Sequence, residues 1–251
     1  MIAVRHSLTG AMVALVALLA ALATTAELGP VAWGVGLAGG GLLSLAVARG
    51  VFGAGISTLG PADLVTLSRA ALACAVAAVV ASPSADGSRA VVVGLAVLAL
   101  VLDAVDGRVA RRTRTSSAFG ARFDGEADAF LLMVLSVYVA AGVGWWVLSI
   151  GAARYVFGAA GWVLPWLRSP LPPRYWRKVV AAVQGVVLTW AAAGVGPPAL
   201  VVAGLAVALA LLAESFGRDV VWLWVRRAGS GRPVRRTVRA DPVATLAGHL
   251  L

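Results

Sequence analysis

Runs of about 20 mostly apolar residues, the length a helix needs to cross a bilayer, recur near 8–26, 30–48, 63–82, 89–109, 119–142, 145–165, 178–194 and 198–216. Between them stand residues that favour turns: Gly29-Pro30, Gly60-Pro61, the stretch from Ser82 to Gly87, Pro170 with Pro172-Pro173, and Gly196-Pro197-Pro198. In hydrocarbon, backbone N–H and C=O groups must find partners within their own segment, so runs of this length are read as helices. The pattern predicts an all-α integral membrane protein of about eight transmembrane helices. No internal repeat is visible in the sequence.

Composition agrees with lipid as the main solvent. Hydrophobic residues make up 61% of the chain and charged ones only 13%, against about a quarter charged in soluble domains, and the mean hydropathy is +0.92. Lys and Arg outnumber Asp and Glu by 21 to 11, a net charge of +10. Most of these cations lie close to apolar spans, which points to anionic head groups and not to nucleic acid. With a cytoplasmic N-terminus and alternating spans, Arg5, Arg49, the arginines of 108–122, the basic cluster of 168–178 and the tail after Arg218 share the cytoplasmic side, and only Arg89 falls opposite. So one-sided a distribution predicts both termini in the cytoplasm. Trp145, Trp146, Trp222 and Trp224 fall at span ends, as interfacial anchors do. The single Cys74 lies in an apolar run and reads as a small buried hydrophobe. The first span has a second reading: Arg5 and His6, an apolar stretch and Ala23-Thr24-Thr25-Ala26 resemble a cleavable signal peptide. The first span is expected to remain as an uncleaved helix. Residues 226–240, rich in Arg with Gly, Ser and Pro, read as a flexible basic tail.

Four carboxylates interrupt this pattern at one hydrophobic boundary. Asp103, Asp106, Gly107, Ala110 and Arg111 fall on one helical stripe, and Gly120, Asp124 and Asp128 on another. A short polar link from Arg112 to Ser117 lets the two helices fold back and face each other. An ionised carboxylate at membrane depth costs about 2.5–3.5 kcal/mol on insertion scales, and four together also repel. Either protons or cations must neutralise them, and divalent metal fits best. An all-oxygen set with no His or Cys nearby suits Mg²⁺ or Mn²⁺. Gly107, Gly120 and Ala110 leave space for a ligand, and Arg111 is placed to hold a phosphate. Simple ion pairing with Arg108, Arg111, Arg112, Arg114 and Arg122 would account for one such Asp but poorly for four at this spacing. A transporter is the alternative from another class, since intramembrane acids also line proton and cation pathways. Transport predicts acids spread through the membrane depth and matched halves, and here the acids cluster at one level. A catalytically dead scaffold is a third reading, at odds with an uninterrupted set of acids.

From Asp103 to Asp128 the spacing is D-x2-D-G-x2-A-R-x8-G-x3-D-x3-D, which resembles the signature of the CDP-alcohol phosphatidyltransferase family at every fixed position. The resemblance implies a six-helix core over residues 61–217, preceded by two additional helices in 1–60 and followed by a basic tail, 218–251. It implies transfer of a phosphatidyl group from a CDP-linked lipid, CDP-diacylglycerol foremost, to the hydroxyl of a small alcohol, with release of CMP, in phospholipid biosynthesis. It further implies that Asp103, Asp106, Asp124 and Asp128 hold divalent metal, two ions of Mg or Mn, with Asp128 also acting as general base. Gly107, Ala110, Arg111 and Gly120 would line the CDP pocket. The segment Pro61 to Arg69 resembles the family's weaker element at the start of the first core helix, which suggests a cytidine-facing role for Asp63 and Thr66. Asp63 departs from the more frequent Asn. For the acceptor, Arg154, Arg168, Arg174, Arg177 and Lys178 are candidates to bind a phosphorylated alcohol such as glycerol phosphate or inositol phosphate, or they are ordinary positive-inside loop residues. Arg154 stands out because it lies within an apolar run. Lys178 and Gln184 loosely resemble the start of the fifth core helix in glycerophosphate-using relatives. Glu214 and Asp219 read either as further site residues or as partners of Arg218 and Arg226. The family's common homodimer is a further implication.

Overall fold

Proline at the first helical turn lacks only an N–H that would have no partner there, and three α-helices among the described residues begin on one. A computed structural model describes residues 2–53, 55–56, 58–82, 88–113, 117–172 and 174–227, apart from the side chains of 2–3, 106, 108–113 and 118. Its described residues form eight α-helices: α1 (Val4–Ala23), α2 (Pro30–Gly53), α3 (Pro61–Val80), α4 (Arg89–Thr113), α5 (Ala118–Val143), α6 (Leu148–Val163), α7 (Tyr175–Ala193) and α8 (Pro198–Arg227). The only strands among them are Ile2–Ala3 (β1) and Thr58–Leu59 (β2), an antiparallel pair that pins the start of α1 beside the entry to α3. The protein is therefore all-α.

Five helices, α1, α2, α3, α5 and α8, are each long and apolar enough to cross a membrane by length and composition. Each of the eight expected spans is occupied by a helix. The run at 145–165 is divided: Trp145–Val147 is a 3-10 turn, and α6 has only 16 residues, about 24 Å at 1.5 Å per residue. α8 departs in the other direction. Its apolar run ends near residue 216, yet the helix continues to Arg227. Polar partners explain the extension: Glu214 pairs with Arg218 one turn on, and Arg177 of α7 reaches Asp219 at 2.8 Å. The guanidinium of Arg226 lies over the Trp222 ring at 4.0 Å. The turn at residues 83–87 and the basic tail beyond 227 lie outside the described residues.

α3 is the central helix. Fourteen of its residues are buried, against three in α1 and five in α2, which therefore turn most of their surface outward. α3 packs on α4 and α5, with α2 and α1 applied to its other side. Val76 and Val79 of α3 meet Val92 and Ala96 of α4, Leu135 of α5, Leu188 of α7 and Leu205 of α8 in one core. A second cluster joins Val47 and Val51 of α2 to Leu67 and Phe123, and a third joins Leu15 and Leu19 of α1 to Cys74 and Ala78. α6 crosses α5 at close range. A Cβ added at Gly151 would stand 2.5 Å from the Met133 Cα, so only hydrogen fits between these backbones.

Candidate functional site

The site lies between the first half of α3, the second half of α4 and the first half of α5. α3 opens on Pro61, and the Asp63 carboxylate turns back to accept the Gly60 N–H at 2.9 Å, satisfying a donor that the helix itself leaves free. Asp63 is buried, as is Thr66, whose hydroxyl donates to the Ala62 carbonyl at 3.2 Å. α5 opens on Ser117, whose Oγ accepts the Gly120 N–H at 2.8 Å, the arrangement expected of an N-cap serine. The two helix starts meet at Gly120. A Cβ there would come within 2.5 Å of Asp63 Oδ1, so the missing side chain is what lets α5 begin against α3. Asp63 and Gly120, both expected on the CDP side of the site, are thus neighbours.

Three residues beyond Thr66 on α3 comes Arg69, only 3% exposed. Its guanidinium gathers carboxylates from two other helices. Nη2 pairs with Asp103 of α4 at 2.9 Å and with Asp128 of α5, while Nη1 pairs with Asp124. The facing stripes expected from the spacing are present, and a third helix supplies the cation at their meeting point. Carboxylate oxygens of Asp103, Asp124 and Asp128 lie within 4.8 Å of one another, and each side chain stays between 32% and 43% exposed. One guanidinium cannot neutralise three carboxylates. Among the described residues the carboxylates outnumber the guanidinium that meets them, and such a cluster of hard oxygen donors fits a divalent cation such as Mg²⁺ or Mn²⁺. Lys178 of α7, which is exposed, also acts coulombically on Asp103.

Asp106 and Gly107 lie on α4 about a turn beyond Asp103, and Ala110 and Arg111 follow on the same helix. The side chains of Asp106, Ala110 and Arg111 are outside the described residues. The proposed acceptor cations divide into groups. Arg154 of α6 pairs with Glu126 at 2.7 Å and, among the described side chains, with none of the aspartates. Arg168 donates from Nε to the Gly161 carbonyl at 2.7 Å. Arg177 pairs with the buried Asp219 at 2.8 Å, with Arg174 at 3.8 Å from the same carboxylate. Arg177 also donates to the Pro172 carbonyl at 2.8 Å. Gln184, fully buried, donates to the Ala208 carbonyl at 2.8 Å and so ties α7 to α8. Glu214 accepts from the Trp176 indole at 2.9 Å.

Arg69 is the residue that reading the motifs alone passes over. It carried a signal: a charge in the middle of an apolar span implies a partner at membrane depth.

The CDP-alcohol phosphatidyltransferase family model matches residues 60–216, from the Gly60 cap of α3 into α8, and so takes in Asp63, Arg69 and all four signature aspartates. Among curated proteins and among solved structures, nothing matches the chain. A match over more than half of the chain, enclosing a carboxylate cluster between apolar helices, settles the class: this integral membrane protein belongs to the CDP-alcohol phosphatidyltransferase family, transferases of phospholipid synthesis.

Proposed function

We propose that the chain transfers the phosphatidyl group of CDP-diacylglycerol to the hydroxyl of a small alcohol, releasing CMP, at the Asp103–Asp124–Asp128 cluster. The observation that supports this most directly is the convergence of three carboxylates from α4 and α5 on Arg69, beside the Asp63–Gly120 contact that opens α3 and α5.

In this reading the acceptor oxygen attacks the lipid-side phosphorus, its bond to CMP oxygen breaks, and Asp128 takes the hydroxyl proton. Asp103, Asp106, Asp124 and Asp128 would hold divalent metal, which screens the negative charge of a pyrophosphate and of the departing phosphate. Asp63, Thr66, Gly107, Ala110, Arg111 and Gly120 would line the nucleotide side. Arg69 keeps the three carboxylates oriented before substrate arrives, so little rearrangement is needed at the moment of reaction. Of the basic residues, Lys178 is the favoured contact for a phosphorylated acceptor, because its charge acts on Asp103 and no ion pair among the described residues engages it. The core helices α3–α8 form the catalytic unit, with its reacting face toward the cytoplasm.

The test is to incubate membranes carrying the protein with labelled CDP-diacylglycerol and paired phosphorylated and unphosphorylated alcohols, and to identify the product lipid. A new phosphatidyl lipid that disappears with excess chelator and in Asp128→Asn, while that variant stays folded, is the expected result. Full turnover by Asp128→Asn, or in excess chelator, refutes the scheme. Preference for the unphosphorylated alcohol refutes the role given to Lys178.

A further inference from the structure

α2 lies outside the region matched by the family model, yet it leans on the core and leaves a cleft of about 870 Å³ between itself and α5. Phe119, Phe123 and Phe130 line the α5 side, Leu42 and Ala46 the α2 side, and Cys74 of α3 part of the floor. The Phe119 and Phe123 rings stack at 6.0 Å along this wall. From Phe119 to Phe130 the wall runs for about 16 Å at 1.5 Å per residue, close to the depth of one leaflet in a hydrocarbon core of roughly 30 Å.

The two ends of the cleft differ in chemistry. At one end Phe119 closes against Gly50, and Arg49 and Arg122 border the opening. Both arginines are exposed, and neither is paired with a carboxylate among the described residues. The one acid at that border, Glu126, is already engaged by Arg154 at 2.7 Å. At the other end the lining is apolar where Gly39 meets Cys74. Around α5 the cleft face and the reacting face are separate: Asp124 follows Phe123 by one residue, about 100° of helical rotation.

From this geometry we propose that the cleft between α2 and α5 holds an acyl chain of a resident anionic phospholipid, distinct from the reacting lipid, with its phosphate at Arg49 and Arg122. A leaflet-deep apolar slot capped by two guanidiniums matches an acyl chain beneath a negatively charged head. Guanidiniums donate paired hydrogen bonds to phosphate oxygens, and near hydrocarbon such charge-assisted bonds are stronger than in water. The lipid would fill the gap that α2 leaves beside α5 and add to a seat formed by Val47 and Val51 against Leu67 and Phe123 and by Gly36 and Gly39 against Ala78 and Cys74.

Native mass spectrometry of the full chain, exchanged in detergent with equal amounts of phosphatidylglycerol and phosphatidylcholine, tests this. The expected result is one retained phosphatidylglycerol per chain, preferred at least fivefold. Arg49→Gln with Arg122→Gln should bring that preference close to one. Ala46→Trp, placed on the exposed cleft side of α2, should expel the lipid, and Asp128→Asn should retain it as the unaltered chain does, which separates this site from the proposed chemistry. Should the double variant fail to stay monodisperse, each single arginine variant is expected to lower the preference at least twofold. Unchanged preference in the arginine variants overturns the proposal. So does a retained species that proves to be the CDP-linked lipid and is consumed when acceptor is added. A lipid-free protein whose Ala46→Cys copies cross-link to each other through α2, or whose segment 228–251 cross-links into the cleft, overturns it as well.

Discussion

Replacing Arg69 by glutamine removes the cation on which Asp103, Asp124 and Asp128 converge among the described residues and leaves a shorter, neutral amide in its place. Removing one partner of a fully buried ion pair costs about 3–5 kcal/mol, because the other charge is left uncompensated. Here Arg69 is 3% exposed but the carboxylates are 32–43% exposed, so water recovers part of that loss, and about 2–3 kcal/mol is expected. For a chain of this size that is roughly 5–10 °C in Tm. The sign then reverses with divalent metal. Three carboxylate oxygens within 4.8 Å, freed of the Arg69 guanidinium, should bind Mg²⁺ or Mn²⁺ more tightly, and saturation at about 100 times Kd stabilises by about 2.7 kcal/mol. Thermal unfolding in detergent, followed by tryptophan fluorescence with chelator and then with Mg²⁺, reads both effects without any turnover. Arg69→Gln should melt well below the unaltered protein in chelator and regain most of the difference in Mg²⁺. Arg69→Lys should fall between them, since one ammonium spans three carboxylates less well than a guanidinium fork. Equal melting of Arg69→Gln and the unaltered protein in chelator, or no metal-dependent recovery, would refute the central place given to this residue.

Further predictions follow the same geometry. Gly120→Ala would put a Cβ 2.5 Å from Asp63 Oδ1 and displace the carboxylate that caps α3. The expected cost is about 1–3 kcal/mol, seen as a lowered Tm together with weaker CDP binding in a calorimetric titration, and an unchanged titration would remove Gly120 from the nucleotide side. Asp219→Ala frees Arg177 and Arg174 from their shared carboxylate; a loss of about 1–3 kcal/mol and faster hydrogen exchange over residues 219–227 are expected, and unaltered exchange there would show that the extension of α8 needs no such anchor. Gly151→Ala forces α5 and α6 apart against backbone atoms of Met133, which should cost about 1–3 kcal/mol; a Tm equal to that of the unaltered protein would mean the crossing yields more easily than its contacts indicate.

The helices were legible in the sequence because the bilayer allows so few alternatives: a long apolar run bounded by Gly-Pro pairs has little choice but to be a helix. Pro30, Pro61 and Pro198 mark helix starts directly. Helix ends were harder to read. α8 continues past its apolar run because Asp219 finds Arg177 on α7, a contact between residues far apart in sequence that no hydropathy window contains. The pairing of the Asp103 and Asp124/Asp128 stripes followed from spacing, because helical periodicity and a short link leave one way for them to meet. Arg69 was not legible as their partner. It comes from a third helix, 59 residues before Asp128, and periodicity within one helix does not say which neighbour its face will meet. The basic residues near Arg168 to Lys178 show the same limit: their charge was plain, but Asp219 and the Gly161 carbonyl, which engage some of them, belong to the tertiary arrangement.

The position of Arg69 also bears on the order in which the molecule is made. It lies midway along α3 and leaves the ribosome before any of its three partners, the last of them 59 residues later. At about 5–20 residues per second, Asp128 follows roughly 3–12 s afterwards. During that interval a guanidinium still without its carboxylates at membrane depth would cost up to about 2.5–3.5 kcal/mol. A nascent α3 is thus better held at the membrane surface or against the insertion machinery until α4 and α5 arrive. Release of this helix into lipid is thereby coupled to completion of the carboxylate cluster, and a chain arrested before α5 should be left with α3 poorly inserted.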